Sequence, residues 1–147
     1  MEASSSESGG KLALYRQIKH FPETEPYCRA SLSVGVRRVL AKLRAGCLPL
    51  QIELGCYTSP KTPLNMHICK LCNDGTEDQE HFLFHCCALT KPGNDFFLCM
   101  FRPSTQLLSY LPNEHQYLNT FYVLNSTSMH CIAHGIYSMY TFRQNLL

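Results

Sequence analysis

A chain that carries Cys69-Lys-Leu-Cys72 and then His81 and Cys86 is constrained first by sulfur chemistry. The spacing is C-x2-C-x8-H-x4-C, and a C-x2-C turn presents two sulfurs to one point in space. A tetrahedral zinc ion takes four Cys or His donors, which makes Cys69, Cys72, His81 and one further residue a candidate ligand set. Asn73, Asp74 and Gly75 tolerate left-handed backbone, so the chain can reverse straight after the second cysteine. From Thr76 the pattern reads as a helix start, with Thr76 as cap and Glu77, Asp78 and Glu80 in the first turns, where carboxylates suit the dipole. His81 projects from that helix, and His85 and Cys86, four and five residues on, come round to a similar side.

The pattern leaves the fourth ligand open between Cys86 and His85, with Cys87 a weaker third. Cys86 is preferred because it keeps three thiolates and one imidazole; His85 would give a two-Cys, two-His set. The competing explanation is that these are buried thiols of an ordinary core. Against it, Lys70, Asn73, Asp74, Glu77, Asp78, Gln79 and Glu80 leave little apolar material for a core. A DNA-reading ββα finger needs about twelve residues between the cysteine pair and its histidine, and here eight intervene. A metalloprotease would place glutamate after the first histidine, whereas Glu80 precedes His81. A zinc deaminase would place P-C-x-x-C after its histidine, whereas Cys69 and Cys72 come first and lack the proline. Four protein ligands leave no open position for water, so the site reads as structural and the chain as non-catalytic.

Nine cysteines in 147 residues would also suit a disulfide framework. The first ten residues, Ser-, Gly- and Glu-rich, lack the basic and apolar regions of a signal peptide, which favours an intracellular, reduced protein, nuclear or cytoplasmic. No apolar run approaches the roughly 18 residues of a membrane span. With 45% hydrophobic and 16% charged residues the chain is globular material. Its net charge is only +2, but Arg29, Arg37, Arg38, Lys42, Arg44 and Lys61 face the single acid Glu53 between positions 29 and 61. A local basic face of this kind suits nucleic-acid phosphates, although a solvated helix face is the commoner explanation.

Along the chain, residues 1–10 read as a disordered leader, and 11–32 as a short helix followed by a proline-broken linker. Residues 33–45 form the best helix of the N-terminal half: Val36, Val39, Leu40 and Leu43 make one apolar stripe, Ser33 caps and Gly46 stops. Leu48 to Pro63 reads as an irregular or extended arm, with Cys56 a buried thiol. Phe96 to Phe101 continues as a helix capped by Asn94, and residues 104–111 and 114–124 as two short helices. A last helix runs from Ser126 to about Gln144, with Ile132, Ile136, Met139 and Tyr140 on its apolar face and His130 and His134 partly exposed. The expectation is a mainly α, small helical domain over 33–147 that contains a compact zinc-binding turn-plus-helix module at 69–86.

The stretch from about Arg37 to Cys86 resembles the C-terminal zinc-binding (CCHC) region of reverse transcriptases from non-LTR, LINE-like retrotransposons. The resemblance is carried by Arg44-Ala-Gly46-Cys-Leu48-Pro49-Leu50, Gly55-Cys-Tyr57-Thr58, Pro60-Lys-Thr-Pro63, Cys69-Lys-Leu-Cys72 and Glu80-His81-Phe-Leu-Phe-His85-Cys86, with Thr141-Phe-Arg-Gln144 similar to the closing element. It implies Cys69, Cys72, His81 and Cys86 as ligands of Zn²⁺, template RNA or target DNA as partner, and Arg37, Arg38, Lys42 and Arg44 as a phosphate-contacting face. It also implies a fragment or remnant of an element, since no carboxylate cluster for polymerase metals is present. The alternative from another class is a zinc-stabilised protein-interaction module without nucleic-acid affinity, whose partner meets the C-terminal apolar helices.

Overall fold

The computed structural model describes residues 23–100 and 129–147, with residues 99 and 100 as helix backbone. The expectations for residues 1–22 and for the helices at 104–111 and 114–124 lie outside them. The described residues are mainly helical and contain no strand: α1 (Pro26–Arg29), α2 (Val34–Arg44), α3 (Gln51–Leu54), α4 (Asn94–Met100) and α5 (Met129–Leu146), joined by single-turn pieces. No described helix is long and apolar enough to cross a membrane.

α2 follows its sequence closely. Ser33 Oγ accepts from the Val36 amide at 3.3 Å and so satisfies one of the orphan donors of the first turn. At the other end Gly46 takes φ 69°. The Cys47 amide then donates to the Lys42 carbonyl and the Gly46 amide to the Leu43 carbonyl, a Schellman closure. Val36, Val39, Leu40 and Leu43 are buried against α5, whose Ile132, Ala133, Ile136 and Met139 meet them. α5 also packs along α4, where Phe96 is fully buried and stacks obliquely on Phe84, ring centroids 5.7 Å apart.

Three stretches depart from the sequence expectation. Residues 25–32 are not a linker: α1 buries Tyr27, Leu32 follows it into the core, and Glu25 reaches Arg44 at 2.9 Å. Pro26, one of the prolines that suggested a break, serves a helix start instead, occupying a first-turn position where no amide hydrogen is needed. The arm is helical over 51–57, as α3 and then a 3₁₀ turn over Gly55–Tyr57, and irregular as expected over 58–63. Cys131 is disulfide-bonded, so the expectation of a fully reduced chain fails at that position.

The α4–α5 crossing depends on Gly135. A Cβ at this position would lie 2.5 Å from Phe96 Cβ and 2.6 Å from the Phe96 backbone nitrogen, which cannot swing aside as a side-chain tip could. We expect Gly135→Ala to destabilise the fold by at least the ~1–3 kcal/mol of an overpacked core, despite alanine's better helix propensity. Equal urea midpoints for the two proteins would contradict this packing.

Candidate metal centre

The centre is built by two short pieces of chain that the fold brings together. The first is a knuckle at residues 67–76. Ile68 and Thr76 form an isolated antiparallel bridge, the Cys69 amide donates to the Gly75 carbonyl and the Asn73 amide to the Cys69 carbonyl. Two left-handed residues, Asn73 (φ 56°) and Gly75 (φ 67°), turn the chain after Cys72. Thr76 therefore belongs to the bridge and is not the helix cap. Asp78 takes that role, its Oδ1 accepting from the His81 amide at 2.7 Å.

The second piece is the turn from His81 to His85, which is π-helical. Its closing bond runs from the Cys86 amide to the His81 carbonyl at 2.8 Å, five residues apart rather than four. A π turn holds one residue more than an α-helical one and so changes which side chains face the neighbouring elements. The consequence is a buried Cys86 beside His81, while His85 is exposed and its Nε2 sits 3.4 Å from Glu80 Oε1. Phe82 and Leu83 of the same turn point into the core and anchor it.

Cys69, Cys72, His81 and Cys86 thus converge, their donor atoms all within 4.8 Å of one another. Cys69 Sγ and Cys86 Sγ are 3.8 Å apart, and Cys72 Sγ is 3.3 Å from His81 Nε2. A tetrahedral ion with M–S of about 2.3 Å and M–N of about 2.0 Å requires S···S edges of about 3.8 Å and S···N edges of about 3.5 Å. The Cys69–Cys86 and Cys72–His81 separations lie close to those edges, and the remaining pairs stay within 4.8 Å. Of the three alternatives for the fourth donor, the geometry selects Cys86; His85 and Cys87 both face solvent. Cys56 is a separate exposed thiol near the Ile52 carbonyl, not the buried one expected.

Electrostatics make the cluster ask for a cation. Burial, then the neighbouring Cys69, pushes the Cys86 thiol up to about 12, and burial likewise raises Cys69. Without a positive ion the buried sulfurs stay protonated; a divalent ion replaces those protons and turns the same burial into an advantage, since it strengthens the metal–thiolate attraction.

Three residues of the site carry no signal in the ligand pattern. Glu77, expected on a solvated first turn, is 1% exposed. Its carboxylate accepts from Arg143 twice, Nε to Oε1 at 2.6 Å and Nη2 to Oε2 at 2.8 Å, and from the Gln51 amide at 2.8 Å. Arg143 on α5 is equally buried. His67 is the third: its Nε2 is 2.9 Å from the Thr62 carbonyl, and it lies so close over Gly55 that a Cβ there would come within 2.2 Å of the ring. It braces the loop entering the knuckle. Arg143 could have been noticed, because it extends the buried stripe Ile132, Ile136, Met139 at helical spacing.

The expected basic face is divided by the structure. Arg38 and Lys42 are exposed, and Arg37 is partly so, with Nη1 donating to the Cys28 carbonyl at 3.3 Å. Arg44 is not part of that face: it is 2% exposed, paired with Glu25, with its guanidinium 5.6 Å from the Tyr27 ring centroid. Position 44 lies one turn beyond Leu40 on the core side of α2, which is why it turns inward.

No protein-family model, curated protein or solved structure matches the chain.

Because the raised thiols must lose protons as a metal enters, affinity should climb steeply with pH, by up to about three decades per unit between pH 6 and 8 if three thiols are displaced. The metal-free fold behaves oppositely: the Cys86 pKa is raised on folding, so its contribution is present below the ordinary thiol value and is lost as pH rises toward 12. Chelator-competition titrations across that range check the first statement. In the same assay Cys86→Ser should abolish tight binding, whereas His85→Ala should bind like the wild type.

Proposed function

We propose that the chain is a non-catalytic zinc module whose ion holds the knuckle against the His81–Cys86 turn, and whose α2 surface contacts nucleic-acid phosphates. The observation that carries the metal half is the convergence of three sulfurs and one imidazole within 4.8 Å. Zinc is the ion such a set favours: thiolates select soft or borderline metals, and a Cys₃His tetrahedron is a closed structural site. With all four positions filled by protein there is no seat for a substrate or an activated water, which supports a structural reading over an enzymatic one.

The nucleic-acid half rests on the exposed cations of α1 and α2. Arg29, Arg38 and Lys42 are exposed, and the acid nearest Arg29 in sequence, Glu25, is turned inward to Arg44. The resemblance of residues 37–86 to the zinc-binding region of non-LTR retrotransposon reverse transcriptases points to RNA or DNA as the partner class. A protein partner is the competing reading, favoured by exposed Tyr57, Leu64 and Met66 on the loop that leads into the knuckle.

Purified protein should carry one zinc per chain by native mass spectrometry, and removal of the ion should open residues 67–86 to proteolysis. Binding to single-stranded RNA and to duplex DNA should weaken steeply with salt. Arg38→Ala with Lys42→Ala should flatten the log–log slope by about 1.4 to 1.8, the loss of two phosphate contacts. An affinity for either polymer that does not change with salt would exclude the phosphate role, and a protein without any such affinity at low salt would leave the interaction-module reading.

A further inference from the structure

We infer that the buried Glu77–Arg143 pair is the outer shell of the metal centre, so that metal occupancy and the docking of the last turns of α5 depend on each other. The inference rests on the metal reading above. Glu77 Oε1, the oxygen that accepts from Arg143 Nε, lies 3.9 Å from Cys69 Sγ. Glu77 and Arg143 are each 1% exposed. The pair is therefore not a surface ion pair that happens to lie nearby; it shares the low-dielectric interior with the ligand sulfur.

Charge balance gives the pair its role. Three thiolates around a dication leave one net negative charge, and the Glu77 carboxylate adds a second beside Cys69. Arg143 brings the opposing charge from a helix 66 residues away in sequence. Its planar fork can satisfy both carboxylate oxygens at once, which a lysine cannot do. Remove the guanidinium and a buried carboxylate stands uncompensated against a metal-bound thiolate, a repulsion in a medium that screens poorly.

The dependence also runs the other way. Glu77 is held in place by its own backbone: its amide donates to the His67 carbonyl, and its carbonyl accepts from the Ile52 amide. The first of those bonds belongs to the knuckle that Cys69 and Cys72 pin, and the second ties Glu77 to α3. If the ion leaves and the knuckle loosens, Glu77 shifts and Arg143 is left as a buried cation without its counter-ion, so the end of α5 must open to water. Coupling of two binding events is reciprocal by thermodynamic necessity.

The test uses the full chain and Co²⁺, whose thiolate charge-transfer and ligand-field bands report tetrahedral binding, with Zn²⁺ in competition. Arg143→Met should weaken metal binding 10- to 100-fold, the usual cost of losing an outer-shell partner. Arg143→Lys should recover part of that loss. The double variant Arg143→Met, Glu77→Gln should recover most of it, because the harm comes from the uncompensated carboxylate; a merely structural ion pair predicts a double variant no better than the single. For the wild type, hydrogen exchange at residues 139–146 should accelerate at least tenfold when the ion is removed, a measurement that needs no variant to fold. Arg143→Met binding Co²⁺ within twofold of the wild type, or exchange at 139–146 indifferent to metal, would overturn the inference while leaving the zinc reading standing. A wild-type chain that binds neither ion would overturn both.

Discussion

One carboxylate ties the described structure together. Glu77 lies where three pieces of chain meet that are far apart in sequence: the start of α3, the knuckle and the end of α5. Moving a carboxylate out of water is costly, and the cost is tolerable here because its oxygens accept two charge-assisted bonds from Arg143 and one from the Gln51 amide. The Gln51 bond also supplies the first turn of α3 with the acceptor that Leu50, having no side-chain oxygen, cannot offer. A buried pair of this kind adds little net stability over a well-packed apolar pair, but removing one partner costs on the order of 3–5 kcal/mol. It joins the end of α5 to the residue that follows the knuckle.

The candidate metal centre takes its shape from that framework. A knuckle stabilised by one bridge and two left-handed residues presents Cys69 and Cys72, but nothing local fixes where His81 and Cys86 stand relative to them. The π turn does so. The closing ring holds one residue more than an α-helical turn, and in it Cys86 is buried beside His81 while His85 is turned out. Phe82 and Leu83 hold the widened turn because both are buried in the same core as Leu40 and Leu43. Apolar packing thus chooses between two donor sets that ligand spacing left open, and the soft Cys₃His set results.

How far this was legible in the sequence depended on the range of the interaction. α2 and α5 could be read because a 3.6-residue stripe and local caps are properties of contiguous residues: Ser33, Gly46 and the Val36-to-Leu43 stripe all appear in the roles their types suggest. The Cys69-to-Cys86 spacing was legible for the same reason, since metal geometry limits how near in sequence the ligands fall. What composition misjudged was charge. Arg44 was expected on the basic face and Glu77 on the first turn of a helix, and Arg143 was given no role, because an isolated ionised side chain belongs in water. Each is buried with a partner of opposite sign, 66 residues distant for Glu77 and Arg143 and 19 for Glu25 and Arg44. Such pairs leave no periodic trace. The same holds for residues 25–32, where Pro26 outweighed a tyrosine and a leucine whose partners lie on other elements.

The burial of Arg44 takes it out of the proposed phosphate-contacting face. Four cations on one helix would form a broad, unspecific field; the structure turns one inward and engages a second, Arg37, with the Cys28 carbonyl. Arg38 and Lys42 remain, four residues apart and so on one line of the helix, with Arg29 exposed at the end of α1. Two side chains one helical turn apart are spaced by about 6 Å, close to the separation of successive phosphates along a strand, so a single backbone could meet both. The inward arginine contributes indirectly. By pairing with Glu25 and lying near the Tyr27 ring it docks α1 beside α2, and it removes from the surface the acid that would otherwise offset Arg29. The basic surface is therefore set as much by which charge is hidden as by which charges are shown.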